Sequence, residues 1–269
     1  MRERLNTSLQ AQSLPSSGRI CSGVWSFETT NDCDILVESG CDARLVALDS
    51  DATAEINIDV ECGAKLSILH VVNHKSATTL NIAIAEGAEC RMTQIVCSSS
   101  DTRVVASLVG RNARFDLGGV FVLTDDDQTS VASDVNHMSP DCVSRIKVKG
   151  VASGKSHGRF SGLVYVAPDA QRTDSEQTNR NVTIGDGHIE TLPQLEIYAG
   201  DVKCSHGATV GQMDSDAILY MRQRGLSLVD AKRLQIEGFV DDVVLHSVIE
   251  DDIVTESLTT LLAEKLNKL

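Results

Sequence analysis

The chain has 269 residues, 42% of them hydrophobic but only 3% aromatic, and carries a formal net charge of −14. That length buries a core without staples, and a core so poor in rings has to be built from Val, Ile, Leu and Ala. The acidic balance argues against nucleic acid as a partner, because no basic excess is there to neutralise phosphates, and no apolar run approaches the ~18 residues of a membrane span.

The chain starts "MRERLNTSLQAQSLPSSG", which has positive charge but no apolar stretch behind it, so it does not read as a signal peptide. Residues 1–30 are expected to form a short N-terminal segment. Eight cysteines stand at 21, 33, 41, 62, 90, 97, 142 and 204, with no CxxC pair and no zinc-finger spacing. Free thiols in a reducing compartment are expected, and with them a soluble, cytoplasmic protein.

From about residue 31 to 200 short Val/Ile/Leu strands alternate with small turn residues. Gly40, Gly63, Gly87 and Asn112 mark turns that recur every 23–25 residues, and Asp141, Asp169 and Gly187 continue the series more loosely. Each unit holds a second turn near its middle, as in "LDSDATAEINIDV". Self-similarity of this length signals a solenoid, and with no helical period inside the units the solution is a parallel β-helix, one coil per repeat. Inward residues would then stack in aliphatic columns. A β-sandwich rarely keeps so even a turn spacing. The β-helix core is placed at residues 31–212.

Three motifs along this core invite chemistry. "HVVNH" sets His70 and His74 four apart, but on a strand-to-turn segment their rings do not meet, and ordinary surface or turn histidines are expected. "GVASGKS" resembles a phosphate loop, yet Gly150 and Gly154 enclose three residues where four are needed. The segment also runs on into a strand, so no helix N-terminus would face a phosphate. A carbohydrate-active enzyme is the alternative that a β-helix suggests by analogy. It would need carboxylates clustered on one strand face with aromatic platforms; the acids here are dispersed, as in "TDDDQTS", and aromatics are scarce.

"DVKCSHGATVGQMD" then sets Cys204 and His206 on alternate positions of an extended segment, pointing to one side. Spacing alone leaves open a metal or sulfur site, a catalytic pair, or a packed thiol beside a hydrogen-bonded imidazole. After Met213 the pattern turns helical. "DSDAILYMRQRG" opens with an Asp as N-cap candidate and closes on Arg224-Gly225, and Ser227 with Asp230 forms a capping-box-like start. Val254, Leu258, Leu261, Leu262 and Leu269 fall on one helical face. A C-terminal α-helical domain over 213–269 is expected, capping the solenoid and offering its apolar stripe to a partner.

Taken together, "GKSHGRFSGLVYVAPDAQRTDSEQTNRNVTI" and "PQLEIYAGDVKCSHGATVGQMDSDAILYMRQRG" resemble the SufB/SufD family of iron–sulfur cluster assembly proteins. The carrying elements are Arg159-Phe160-Ser161-Gly162, Asp174 to Asn181, Pro193-Gln194-Leu195-Glu196 and, above all, "DVKCSHGATVG" followed by "LYMRQRG". They span about residues 154–240; the earlier coils match only in style, and the family's helical N-terminal domain is expected to be shortened or missing.

The resemblance implies a right-handed parallel β-helix with a C-terminal helical domain that docks a SufC-type ABC ATPase. It also implies a scaffold that is not an enzyme, pairs with a SufB-like subunit or a second copy of itself, and receives sulfur indirectly from a cysteine desulfurase. A transient iron–sulfur cluster would be handled where subunits meet. In the SufB branch a cluster-building Cys stands where this chain has Thr178, and a Glu follows the histidine where this chain has Gly207. Both departures point to the SufD side. His206 is then the candidate ligand for iron or cluster, with Cys204 a second ligand or a packing thiol, and Glu196 and Asp201 as oxygen donors nearby in sequence.

Overall fold

The structure is a computed structural model that describes residues 11–14, 18–244, 247–249 and 251–268. Its strands come in pairs, one pair per coil. The first are β1 (Gln12–Ser13), β2 (Gly18–Ile20), β3 (Gly23–Thr29) and β4 (Cys33–Val37). Next come β5 (Asp42–Asp49) with β6 (Thr53–Val60), β7 (Lys65–Val72) with β8 (Ser76–Ile84), and β9 (Glu89–Val96) with β10 (Ser100–Leu108). The last coils hold β11 (Arg114–Leu123) with β12 (Gln128–His137), β13 (Val143–Ala152) with β14 (His157–Val166), β15 (Thr173–Thr183) with β16 (His188–Ile197), and finally β17 (Val202–Gly211). Odd-numbered strands make one nine-stranded sheet in chain order and even-numbered strands an eight-stranded one, all neighbours parallel. This is the parallel β-helix expected from the repeat. Strands that precede residue 31 already belong to it, since β3 pairs with β5 and β2 with β4.

Alternation explains the core. In β6, Ala54, Ile56, Ile58 and Val60 are buried while the residues between them are exposed. Register stacks such positions from coil to coil, as in Leu45, Ile68, Met92, Leu117 and Ile146 on the odd-numbered sheet. A core of aliphatic columns needs few aromatics, and each buried Val, Ile or Leu contributes about 1.5–3 kcal/mol.

The corners are fixed by backbone conformation. Gly40, Gly63, Gly87, Asn112, Asp141 and Arg172 all have positive φ, between 58° and 69°. In each, the N–H donates to a carbonyl of the next coil: Gly40 to Cys62, Gly63 to Glu86, Gly87 to Arg111, Asn112 to Pro140, Asp141 to Gln171 and Arg172 to Asp201. Glycine and asparagine adopt this left-handed region at least cost, which is why the period is visible in their spacing. Two markers move. Arg172, not Asp169, holds the sixth corner, because its guanidinium is clamped on Asp141 and its N–H on the Asp201 carbonyl. Gly187 belongs to the opposite corner, where Asp125, Gly154 and Gly185 have positive φ. The Arg172 and Arg111 guanidiniums hold the Asp141 carboxyl down at about 2.

Three helices follow β17: α1 (Ser215–Gln223), α2 (Leu228–Val244) and α3 (Asp252–Leu266). Their starts carry the expected caps. The Asp214 side chain accepts from the N–H groups of Asp216 and Ala217, and Ser227 Oγ exchanges hydrogen bonds with Asp230. Gly225, with φ 97°, ends α1.

The destination of α2 and α3 differs from expectation. They fold back along the outer flank of the odd-numbered sheet instead of capping the last coil. Ile236, Val240, Val243, Val254, Leu258, Leu262 and Leu266 bury themselves against outward residues such as Val46, Leu69, Ile95, Val120 and Val151. The amphipathic stripe is therefore covered by the protein's own sheet and is not offered to a partner; Leu261 is half-buried at its margin, and Leu269 lies outside the described residues. Lys149 ties α2 to β13 by donating to the Phe239 carbonyl at 2.6 Å, and Lys265 ties α3 to Asp127 at 2.7 Å. No helix among the described residues is long and apolar enough to cross a membrane.

Contrary to the expectation from composition, not all the thiols are free. Cys21 and Cys41 are joined in a disulfide, because they lead into the adjacent strands β3 and β5 and stacking brings their Cα atoms to 5.2 Å. His70 is fully buried instead of lying on the surface. "GVASGKS" forms the end of β13, a tight turn at Gly154 and the approach to β14, so no phosphate cradle exists there.

His70 belongs to a buried polar network at the end of β5. Asp49 Oδ1 accepts from Thr29 Oγ1 and contacts His70 Nε2, both at 2.7 Å, and its Oδ2 accepts from Ser76 and Thr78 at 2.7 and 2.8 Å. Burial pushes the Asp49 carboxyl up, but the His70 imidazole and the hydroxyls outweigh it and hold it well below the usual carboxylate range. A folded-state value below the unfolded one means that this carboxylate stabilises fully above about pH 4 and loses its effect as pH falls through the folded value. Asp49→Asn is expected to cost about 3 kcal/mol at neutral pH, read from the urea midpoint. It should also flatten the loss of stability below about pH 4. A change under about 0.5 kcal/mol would mean the network contributes nothing to the fold.

Candidate functional site

Both sheets end at the same end of the solenoid, on β16 and β17. Cys204 and His206 lie on β17, and register extends two core columns to them. Phe115, Ser144, Ser175 and Cys204 form one; Leu117, Ile146, Gln177 and His206 form the other. Both columns change from apolar to polar toward the last coil.

The polar part of the interior is connected. His137 Nε2 lies 2.9 Å from Ser144 Oγ, which lies 2.8 Å from Ser175 Oγ, directly across from Cys204. Burial holds the His137 imidazole down at about 4, so it stays neutral at physiological pH. Gln177 donates to the Gly162 carbonyl at 3.3 Å, while its Oε1 has no partner among the described residues. These inward polar residues belong to no sequence motif; their signal is their position on the buried parity of β12, β13 and β15.

Cys204 is half-buried against the core, whereas His206, two residues on, is exposed. Burial pushes the Cys204 thiol above its ordinary value, and Asp174 adds to this against a hydrogen bond from the Ser175 backbone. The pair thus sits on one strand face at the open end of the solenoid, with an accessible imidazole and a thiol that favours its protonated form. An incoming metal would have to displace that proton.

The oxygen donors do not join them. Glu196 is exposed on β16, in the other sheet, on the same parity as His188 and Glu190. Asp201 lies in the turn before β17, where its N–H donates to Gln171 Oε1 at 2.9 Å and its carbonyl accepts from Arg172. Thr178 lies on the outward parity of β15, in register with Gly207, and donates to the Ile146 carbonyl at 3.4 Å. The structure therefore keeps Cys204 and His206 on one face of β17, with Glu196 on the other sheet and Asp201 in the preceding turn.

Around this end the surface is apolar for an exposed edge. Leu192, Ile197, Tyr198 and Val210 are exposed, Tyr198 by 61%. An unpaired strand edge with such side chains is a template for strand addition. A second exposed apolar group, Leu219, Tyr220, Leu228, Val229 and Leu234, lies on α1 and α2, and α1 buries no residue at all.

Comparison with known proteins identifies this architecture. The family profile described as "SUF system FeS cluster assembly, SufBD core domain" matches residues 29–239. The iron–sulfur cluster assembly protein SufD of Escherichia coli K12 is 34% identical over 160 residues, covering 59% of this chain and 37% of that protein. A SufBD family protein of Synechocystis is 44% identical over 86 residues, 32% of this chain and 19% of the relative. One from Mycobacterium bovis is 27% identical over 194 residues, 68% of this chain and 48% of the relative. The chain thus aligns with less than half the length of each of these relatives.

The half-buried, proton-retaining state of Cys204 has a direct readout. Under limiting iodoacetamide at pH 8, Cys204 should alkylate several-fold more slowly than the exposed Cys62, as followed by peptide mass spectrometry. Equal or faster reaction at Cys204 would contradict the burial described.

Proposed function

The chain belongs to the SufBD family of iron–sulfur cluster assembly proteins, and from that premise we propose that it is a SufD-like scaffold subunit of a SUF-type complex, itself catalysing no reaction. It pairs through the β16–β17 end with a SufB-like subunit or a second copy of itself, and it works in the cytoplasm. The exposed apolar side chains at that end and the two strand edges support this reading. A homotypic pair would use the same edge twice, as closed two-fold symmetry requires.

The nascent cluster is cargo in this scheme. His206 offers an accessible imidazole to iron at the junction, and Cys204 supplies a thiol once its proton is lost. The observation that carries the proposal is the arrangement of Cys204 and His206 on one face of the last strand, each at the open end of a column that turns polar. Glu196, exposed on β16, stands at the same end but on the other sheet from the pair. Sulfur arrives from a cysteine desulfurase without direct contact by this chain.

A SufC-type ABC ATPase docks on the helical region. With the α3 stripe covered, the exposed Leu219 and Tyr220 of α1 and the outer residues of α2 are the surface left for it. Hydrolysis is then the partner's chemistry.

One reconstitution tests both halves. With the ATPase, a SufB-like subunit, desulfurase and ferrous iron, His206→Ala should leave ATPase co-purification unchanged and lower cluster formation about 10-fold or more. In the same assay Leu219→Asp should remove ATPase binding while the β-helix stays folded. Full cluster formation by the folded His206→Ala protein would reduce His206 to an ordinary edge residue, and undiminished ATPase binding by Leu219→Asp would move the docking surface elsewhere.

A further inference from the structure

Two short sequences at successive corners are alike. "GKSH" ends in His157 and "GDGH" in His188, each histidine three residues after a glycine with positive φ, Gly154 and Gly185. Because the two corners belong to adjacent coils, the histidines are neighbours: His157 opens β14, His188 opens β16, and they are in register. Strand spacing sets their Cα atoms about 4.8 Å apart, and Glu190, two residues after His188, projects from the same outward face.

The side chains converge further than register alone requires. The imidazole centroids are 4.7 Å apart with their planes at 43°. Glu190 Oε1 is 4.0 Å from His157 Nε2, although Arg159 is the residue directly across from Glu190. One donor atom from each of the three residues lies within 4.8 Å of the others. His70 and His137 are buried and held by hydrogen bonds. By contrast, neither exposed ring has a hydrogen-bond partner among the described residues, so both nitrogen lone pairs are available.

We propose that His157, His188 and Glu190 form a binding site for a divalent first-row transition-metal ion, separate from the Cys204–His206 pair. Imidazole nitrogen with one carboxylate suits zinc, ferrous iron, cobalt or nickel and disfavours calcium and magnesium, which require mostly oxygen. Metal–nitrogen bonds of about 2.0–2.1 Å in a tetrahedral set bring donors to about 3.3 Å from each other. The present separations close to that by rotamer adjustments of side chains that are half exposed, 49% for both His157 and Glu190. Three protein ligands leave a fourth position open to water or to a group from another molecule. The net charge of −14 favours the approach of a cation.

The site is distinct by position. It lies on the outer face of the even-numbered sheet, whereas Cys204 belongs to an inward column of the odd-numbered one. Nothing in it depends on the scaffold role.

The test is a Co²⁺ titration of the full-length, tag-free chain carrying Cys204→Ser and His206→Ala, so that the edge pair contributes nothing. One equivalent should bind with visible ligand-field bands and without thiolate-to-metal charge transfer, and Zn²⁺ should displace it. Adding His188→Ala, or separately His157→Ala, should weaken binding at least about 10-fold, and Glu190→Gln should weaken it measurably. These positions are exposed, so circular dichroism should stay unchanged, and either histidine variant alone suffices for the comparison. Absence of saturable binding overturns the proposal. So does a thiolate charge-transfer band, or equal affinity after a histidine is removed.

Discussion

Corner residues in the left-handed region donate their N–H groups to the carbonyls of the next corner, and this ladder keeps the coils from slipping. A slip of one residue would turn every inward side chain outward, because the strand period is two. The ladder therefore sets which side chains stack in the aliphatic columns, and where those columns turn polar. It also delivers Cys204 and His206 to the same face of β17, and His157 and His188 to adjacent starts of β14 and β16. Every site described above is a consequence of register.

The same constraint accounts for the asymmetry of the molecule. Odd-numbered strands such as β7 are buried on both faces at their C-terminal ends, "ILHVV" in that strand. The second burial comes from α2 and α3 lying on the flank. Even-numbered strands such as β6 are buried on one face only and alternate cleanly. Because the helices cover the flank and leave the β16–β17 end bare, the protein keeps two separate surfaces. One is an edge suited to strand pairing, and the other is the exposed apolar outer side of α1 and α2. The pairing and the ATPase docking proposed above both require that separation.

The repeat was legible because glycine and asparagine adopt positive φ cheaply, so Gly40, Gly63, Gly87 and Asn112 announce the corners. It blurred at the sixth corner, where Arg172 adopts the same conformation under tertiary clamps that no local propensity reveals. The helix starts were legible from Asp214 and Ser227, since capping is local chemistry. The apolar stripe on α3 was legible as a stripe, but helical period says which face is apolar and not what covers it. Cys204 and His206 could be paired from the alternation of one strand. Glu196 could not be placed relative to them, because its sheet and its parity depend on the whole coil. His157, His188 and Glu190 lay hidden for the reason that makes them interesting: they meet only after coils stack, although the paired "GKSH" and "GDGH" corners carry the trace.

The central claim is that the open β16–β17 end is the edge through which this chain joins a second β-helix. Hydrogen–deuterium exchange measures it most directly, with the chain alone and then in a complex verified by size exclusion, either with a SufB-like subunit or with itself. Backbone amides of Val202–Gly211 should exchange markedly more slowly in the complex, while those of β7 and β9 in the middle of the sheet stay unchanged. Unchanged exchange across Val202–Gly211 in a formed complex would contradict the account, because pairing would then use another face of the protein.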